Sequence, residues 1–176
     1  MTQPHRLSEA LGCALTLKLD FNNPIRSFKG RGASFLLSEV QRRGDSRELV
    51  CASEGNWGQA MAYVCRARVR ALRIHAALNA NPLKVARMKA LGATVIQQGR
   101  DFDAAKDAAK ADAQRSDAWM VEDGQEPEIA EGHGSIEVEL LARGDGFYAV
   151  VVPLGNGALL TGIARWACPL RRRCAR

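Results

Sequence analysis

The stretch Asn22-Asn23-Pro24-Ile25-Arg26-Ser27-Phe28-Lys29-Gly30-Arg31-Gly32-Ala33 decides how the rest of the chain is read. An extended apolar segment, Leu15-Thr16-Leu17-Lys18-Leu19, runs into its Asn-Asn-Pro turn, and a helix-like run over 33–43 follows. Ser27 is a candidate N-cap, because its hydroxyl can accept an orphan backbone N–H at the start of that helix. Lys29 then falls in the first turn, where the helix dipole presents partial positive charge and disfavours an ammonium. Burial disfavours it further, so the position is expected to favour the neutral, nucleophilic amine. Gly30 and Gly32 weaken a helix but let a ligand approach the backbone. Alone, the stretch reads also as a solvated surface lysine beside a flexible turn.

Two further stretches carry chemistry. In Cys51-Ala52-Ser53-Glu54-Gly55-Asn56-Trp57-Gly58-Gln59 a strand ends, four polar or glycine residues turn the chain, and a helix begins. Such a turn aims backbone N–H groups at one point, which suits a carboxylate or phenolate oxygen; Asn56 and Ser53 can add side-chain donors. A plain strand-to-helix turn capped by Asn56 is the other reading. In Val150-Val151-Val152-Pro153-Leu154-Gly155-Asn156-Gly157-Ala158-Leu159-Leu160 an apolar run leads into a glycine-rich turn and a helix, an arrangement that cradles a phosphate. It is not a P-loop, because no Gly-Lys-Ser/Thr follows. The dinucleotide fingerprint fails too, with Leu160 in place of its third glycine.

Around these stretches, β-type runs alternate with helical ones. Strands are expected at 15–19, 48–52, 71–76, 94–97, 119–122 and 148–153, and helices at 33–43, 57–68, 82–91, 102–115 and 135–142. The alternation predicts an α/β fold with parallel strands and crossover helices. Val50-Cys51-Ala52 and Ala149-Val150-Val151-Val152 read as strands covered on both faces. The acidic segment Glu122-Asp123-Gly124-Gln125-Glu126-Pro127-Glu128 reads as a solvated linker.

Composition excludes several classes. A chain of 176 residues, 47% apolar and 25% charged, has the makings of one ordinary domain or two small lobes. No apolar run approaches a membrane span and no signal-peptide core opens the chain, so no membrane role is expected. Five cysteines (Cys13, Cys51, Cys65, Cys168, Cys174) without CxxC spacing suggest neither a disulfide framework nor a metal site, and a cytoplasmic setting is expected. The net charge of +6 is a tail effect: Arg165, Arg171, Arg172, Arg173 and Arg176 lie at the end with no acid among them, leaving 20 basic against 19 acidic residues. Without interleaved aromatics or a reading module, no specific nucleic-acid partner is expected.

Together, the lysine stretch, the Ser53 turn and the Gly155 loop resemble, in order, the fold-type II pyridoxal-phosphate enzymes, the tryptophan synthase β-like group that contains threonine/serine dehydratases. Ser27-Phe28-Lys29-Gly30-Arg31-Gly32-Ala33 is similar to their S-F-K-x-R-G-A motif, and Ser53-Glu54-Gly55-Asn56-Trp57-Gly58-Gln59 to S-x-G-N-H-G-Q. Gly155-Asn156-Gly157-Ala158-Leu159 sits where the family has G-G-G-G-L, and Gly132-His133-Gly134-Ser135-Ile136 resembles G-Q-G-T-I.

The resemblance implies two parallel-sheet lobes: a small one of 46–124 inserted in a large, incomplete one of 1–45 and 125–176. It implies pyridoxal 5'-phosphate held by Lys29 as a Schiff base, with Lys29 then acting as base on the substrate α-proton. Phe28 would pack beside the ring, and Asn56 would bond its phenolic oxygen. Gly155, Asn156, Gly157, Ala158 and Leu159 would bind the phosphate, while Ser53, Glu54, Gly55 and Asn56 would receive the amino-acid carboxylate. The implied activity is a threonine/serine dehydratase-type ammonia-lyase acting on a small amino-acid substrate, with a homo-oligomer allowed. A cysteine synthase-like β-replacement enzyme and an inactive fragment or non-catalytic partner are the alternatives.

There are departures from the pattern. Glu54 stands where racemising members carry serine, Trp57 replaces a histidine, and Asn156 and Ala158 interrupt the glycines. After Ala167 the pattern gives way to an arginine-rich tail without helical patterning, read as an early-ended terminus, and the family's remaining strands are expected to be missing.

Overall fold

The computed structural model describes residues 1–144 and 146–174. The order is α1 (His5–Leu11), α2 (Lys29–Arg42), β1 (Leu49–Ala52), α3 (Asn56–Ala67), β2 (Leu72–Ala76), α4 (Pro82–Ala90), β3 (Thr94–Gln97), α5 (Phe102–Ser116), β4 (Trp119–Met120), α6 (Pro127–Leu141) and α7 (Ala158–Cys174).

Four parallel strands form one sheet in the order β3-β2-β1-β4. Alternation along β1 sends successive side chains to opposite faces. Val50 and Ala52 meet the alanine stripe of α5, Ala109 and Ala113, while Leu49 and Cys51 enter the main core with Leu36, Leu37, Met61 and Val64. Small residues on α5 let that helix lie close to the strands. Leu36, Leu37 and Met61 are fully buried, each stabilising the fold by roughly 1.5–3 kcal/mol.

Local chemistry sets the helix starts. Asn81 caps α4 by accepting from the Leu83 and Lys84 amides, with Pro82 in the first turn. Asp101 caps α5 through the Ala104 amide at 2.9 Å. The Ser53 hydroxyl accepts from Gly58 at 2.8 Å and Gly55 at 3.2 Å, holding the turn between β1 and α3.

Three helices, α2, α6 and α7, stack through glycines. A side-chain carbon at Gly132 would meet Arg31 O at 2.6 Å, and one at Gly162 would meet Ala130 O at 2.0 Å. These glycines are therefore contact surfaces that let the backbones touch. They also explain why α2 begins at Lys29 rather than at 33 as expected. Gly32 packs against Ile129 and His133, and this tertiary contact outweighs the weak helix propensity of glycine. Likewise α6 starts at Pro127, inside the expected linker, because proline suits the first helical turn.

Two expected strands do not form. Residues 15–19 contribute only an isolated antiparallel bridge, Thr2 to Leu17. Residues 148–153 are irregular, and Val151 is 95% exposed rather than covered on both faces. A parallel strand exists only beside a partner, and among the described residues no neighbouring strand lies there to pair with it. The helix after the glycine loop runs on past Ala167 to Cys174, since the leucine and arginines that follow are good helix formers. Arg176 and the side chains of Cys168, Arg171, Arg172, Arg173 and Cys174 lie outside the described residues, and with them the expected tail charge.

Candidate active site

Lys29 is the first residue of α2, and its amide donates to Ser27 Oγ at 3.3 Å. Its side chain lines a cavity of about 470 Å³ bounded by Phe28, Asp123 and the loop from Pro153 through Gly155, Asn156 and Gly157, with Leu159 and Leu160 behind. The lysine and the glycine loop, read separately in the sequence, thus share one space. Nζ stands 4.9 Å from the centre of the Phe28 ring. The amine expected to be neutral is instead ion-paired, at 2.6 Å, with Asp123 Oδ2, both side chains being mostly buried.

The loop has the form of an anion cradle. Gly157 has φ +91°, a conformation that L side chains rarely adopt, and a side-chain carbon at Gly155 or Gly157 would meet nothing within 4 Å. Asn156 Oδ1 accepts the Ala158 amide at 3.3 Å at the start of α7, and its side chain packs against Gly124. A 17-residue helix follows, so its partly positive N-terminus faces the cradle. Ala158 and Leu159 are buried and anchor that end.

The Ser53 turn sits at the same edge of the sheet. β1 and β4 are parallel neighbours, Val50 pairing with Met120, so the residues after each strand, Ser53 to Asn56 and Val121 to Asp123, emerge side by side. Ser53, Glu54, Gly55 and Asn56 do not line the lysine cavity. Glu54 Oε1 accepts the Ala77 amide at 3.2 Å, and Asn56 is exposed. Trp57, which stands where the family pattern has a histidine, is buried in the main core with Met61 and Leu36.

Sequence reasoning missed three residues here. Asp123 was hidden in an acidic run that reads as solvated. His133 is fully buried in α6, edge-on to Phe28 at 5.0 Å, with neither ring nitrogen hydrogen-bonded among the described residues. A backbone group of Ala158 bears on the ring without making a bond of normal geometry. Burial, and then the charge of Lys29, push its pKa down to about 4, so the ring is neutral. Arg31 is locked away from the cavity by Asp20 at 2.8 Å, Glu139 at 2.6 Å and Ser135 Oγ at 2.9 Å, and Lys18 joins the same carboxylates. Burial opposes the charge of Asp20, but hydrogen bonds from Arg31 and Lys18 prevail and hold it below its ordinary value. Nothing in one sequence separates such a structural arginine from a ligand-binding one.

Comparison with known proteins places this geometry. Residues 1–171 match the family described as pyridoxal-phosphate dependent enzyme. The biosynthetic L-threonine dehydratase IlvA of Corynebacterium glutamicum is 32% identical over 179 residues, covering 97% of this chain and 41% of that protein. L-serine dehydratase/L-threonine deaminase of Mus musculus is 36% identical over 167 residues, covering 90% and 49%. The structure of the processed form of threonine deaminase isoform 2 from Solanum lycopersicum superposes with a TM-score of 0.89 at 26% identity, covering 96% of this chain and 50% of that one. The chain thus spans half or less of the length of these relatives. Nearly all of it lies within one family match, and it belongs to the pyridoxal-phosphate dependent enzymes.

Proposed function

We propose that the chain carries the lysine and phosphate side of a pyridoxal-phosphate site, serving a dehydratase that turns a β-hydroxy amino acid into a 2-oxo acid and ammonia. The observation that carries this is the shared cavity of Lys29 and the Gly155–Gly157 loop, distant in sequence, at about 470 Å³. The cofactor fits the residues present: an amine on one wall, an open glycine cradle before a helix N-terminus on the other, and Phe28 between them. When bound, pyridoxal phosphate supplies an electron sink that makes the substrate α-proton removable. Lys29 Nζ would hold the cofactor and later take that proton. Backbone at Gly155, Asn156, Gly157, Ala158 and Leu159 would bind phosphate oxygens.

At the adjoining edge, Ser53 already accepts two amides and keeps its hydroxyl proton to donate to a substrate carboxylate, alongside Glu54 and Gly55. Asn56 would donate to the cofactor's phenolic oxygen. The named relatives, dehydratases and deaminases of threonine and serine, support the substrate class. A lobe of 46–124 set within 1–45 and 125–176 belongs to the same reading, supported by confinement of the sheet to residues 49–120. So does a reducing, cytoplasmic setting, in which Cys51 and Cys65 stay as free buried thiols. No helix among the described residues is long and apolar enough to cross a membrane.

The test is to mix the purified protein with pyridoxal phosphate and record its visible absorbance. A band is expected that disappears in Lys29→Ala, and L-threonine or L-serine should then yield 2-oxo acid. A band that persists in Lys29→Ala would overturn the assignment of the lysine. Cysteine formed from O-acetylserine and sulfide, with no 2-oxo acid from either hydroxy amino acid, would overturn the lyase reading.

A further inference from the structure

Asp123 has a place that neither the motifs nor the family pattern assigns. It follows β4 on the turn before Gly124 and is the only carboxylate among the described residues lining the lysine cavity. One oxygen, Oδ2, is 2.6 Å from Lys29 Nζ. The other, Oδ1, is buried and has no hydrogen-bond partner among the described residues. A buried carboxylate oxygen left unpaired costs free energy, and native proteins keep such groups chiefly where they do something. Its neighbour Gly124 has φ +93° and receives the side chain of Asn156, so the same turn touches both the lysine and the phosphate cradle.

We propose that Asp123 is the positioning residue of Lys29: it aims Nζ into the cavity and holds it there as an ammonium, so that the amine is freed for bonding to a carbonyl carbon only when this contact is given up. The proposal rests on Lys29 being the cofactor lysine. The step balances as follows. As the contact breaks, the ammonium gives one proton to solvent, and the freed electron pair of Nζ attacks the carbon of an aldehyde. The carbonyl oxygen then leaves as water with the two hydrogens remaining on nitrogen, and a C=N bond is formed. Near the pair, α6 places neutral His133, and β1 places Cys51, whose thiol burial pushes above its ordinary range. Neither supplies a competing negative charge near neutrality.

The experiment is reductive methylation of the full chain with formaldehyde and cyanoborohydride, followed by mass spectrometry of the Lys29 peptide, with exposed Lys89 and Lys110 as internal references. At about pH 7.5, Asp123→Asn should label Lys29 roughly 5-fold faster than the unchanged protein, the upper end of what a pair still in reach of solvent contributes. At about pH 10.5, where lysines shed the proton unaided, the difference should close. Asp123→Glu should restore slow labelling. Equal or slower labelling in Asp123→Asn near neutrality would overturn the proposal. So would a gain that persists at high pH, which reports access alone. Should Asp123→Asn fail to fold, Asp123→Ser carries the same expectation. Because labelling requires no cofactor, it can fail while the Lys29-dependent absorbance band survives, or succeed while that band is absent, so the two readings fail separately.

Discussion

Helix α2 stands between two cavities, and they differ in kind. On one side Lys29 opens into the space of about 470 Å³ with Asp123 and the glycine loop. On the other, Gly30, Arg31, Ser34 and Phe35 border a groove of about 860 Å³ walled by Tyr63, Val138 and Trp166. By size the groove is the better binding site. Its cations, however, are already engaged: Arg31 is held by Asp20, Glu139 and Ser135, and Arg68 donates to Ser34 O, Ser38 Oγ and Gln41 Oε1. The smaller space has an amine with one partner, a carboxylate oxygen with none, and open backbone at two glycines. Uncommitted polar groups, rather than volume, mark where chemistry can occur.

The contrast can be tested from its frame inwards. Both cavities depend on helices brought together at glycine, and the tightest crossing is Gly162 against Ala130 O. Gly162→Ala should destabilise the protein by roughly 3 kcal/mol in urea unfolding, because rigid backbone must move. An effect near zero would mean that α7, and the loop before it, is not held as described.

Acid should separate the two sides next. His133, behind the smaller cavity, has its pKa pushed down to about 4 in the folded chain, against about 6.5 when unfolded. Between those values the unfolded chain binds the extra proton, so stability is lost as pH falls through that window. His133→Gln should remove about 2 kcal/mol of the acid destabilisation seen at pH ~4.5. The carboxylates on the groove side, Asp20 and Glu139, are held below their ordinary values by Arg31 and Lys18 and give way only in stronger acid. Identical acid-unfolding slopes in the two proteins would break the distinction.

The smallest effect concerns the cradle. Gly157→Ala, at φ +91°, should weaken retention of pyridoxal phosphate by roughly tenfold through backbone strain. Phe35→Ala, in the groove, should leave it unchanged. Loss of cofactor in Phe35→Ala would move the site to the larger cavity.

Much of this was legible in the residues. Strands β1 to β3 and helices α3 to α5 lie within two residues of their expected positions, because apolar runs, Asn81-Pro82 and Asp101 are local signals. The lysine and the glycine loop were also legible, as motifs with a chemical reason. What escaped depends on distant neighbours. The strand expected at 148–153 needs a partner strand to exist at all. Asp123 looks solvated among its acidic neighbours until β4 pairs with β1 and carries it to Lys29. His133 falls before the helix expected at 135–142, and only the packing of α2 on α6 buries it. Helix α1, short and without a side-chain cap, left no signal.

The strand order also has a kinetic consequence. β1, β2 and β3 are joined by short crossovers, but β4 reaches β1 only after two more strands and three helices have been laid down. Loop closure makes that pairing the slowest of the sheet to form. Asp123 comes three residues after the end of β4 with little freedom to arrive earlier. The lysine therefore gains its counter-charge only when the last edge of the sheet is in place. Until then its amine is an ordinary exposed lysine, and the reactivity of Lys29 during refolding becomes a clock for completion of the sheet.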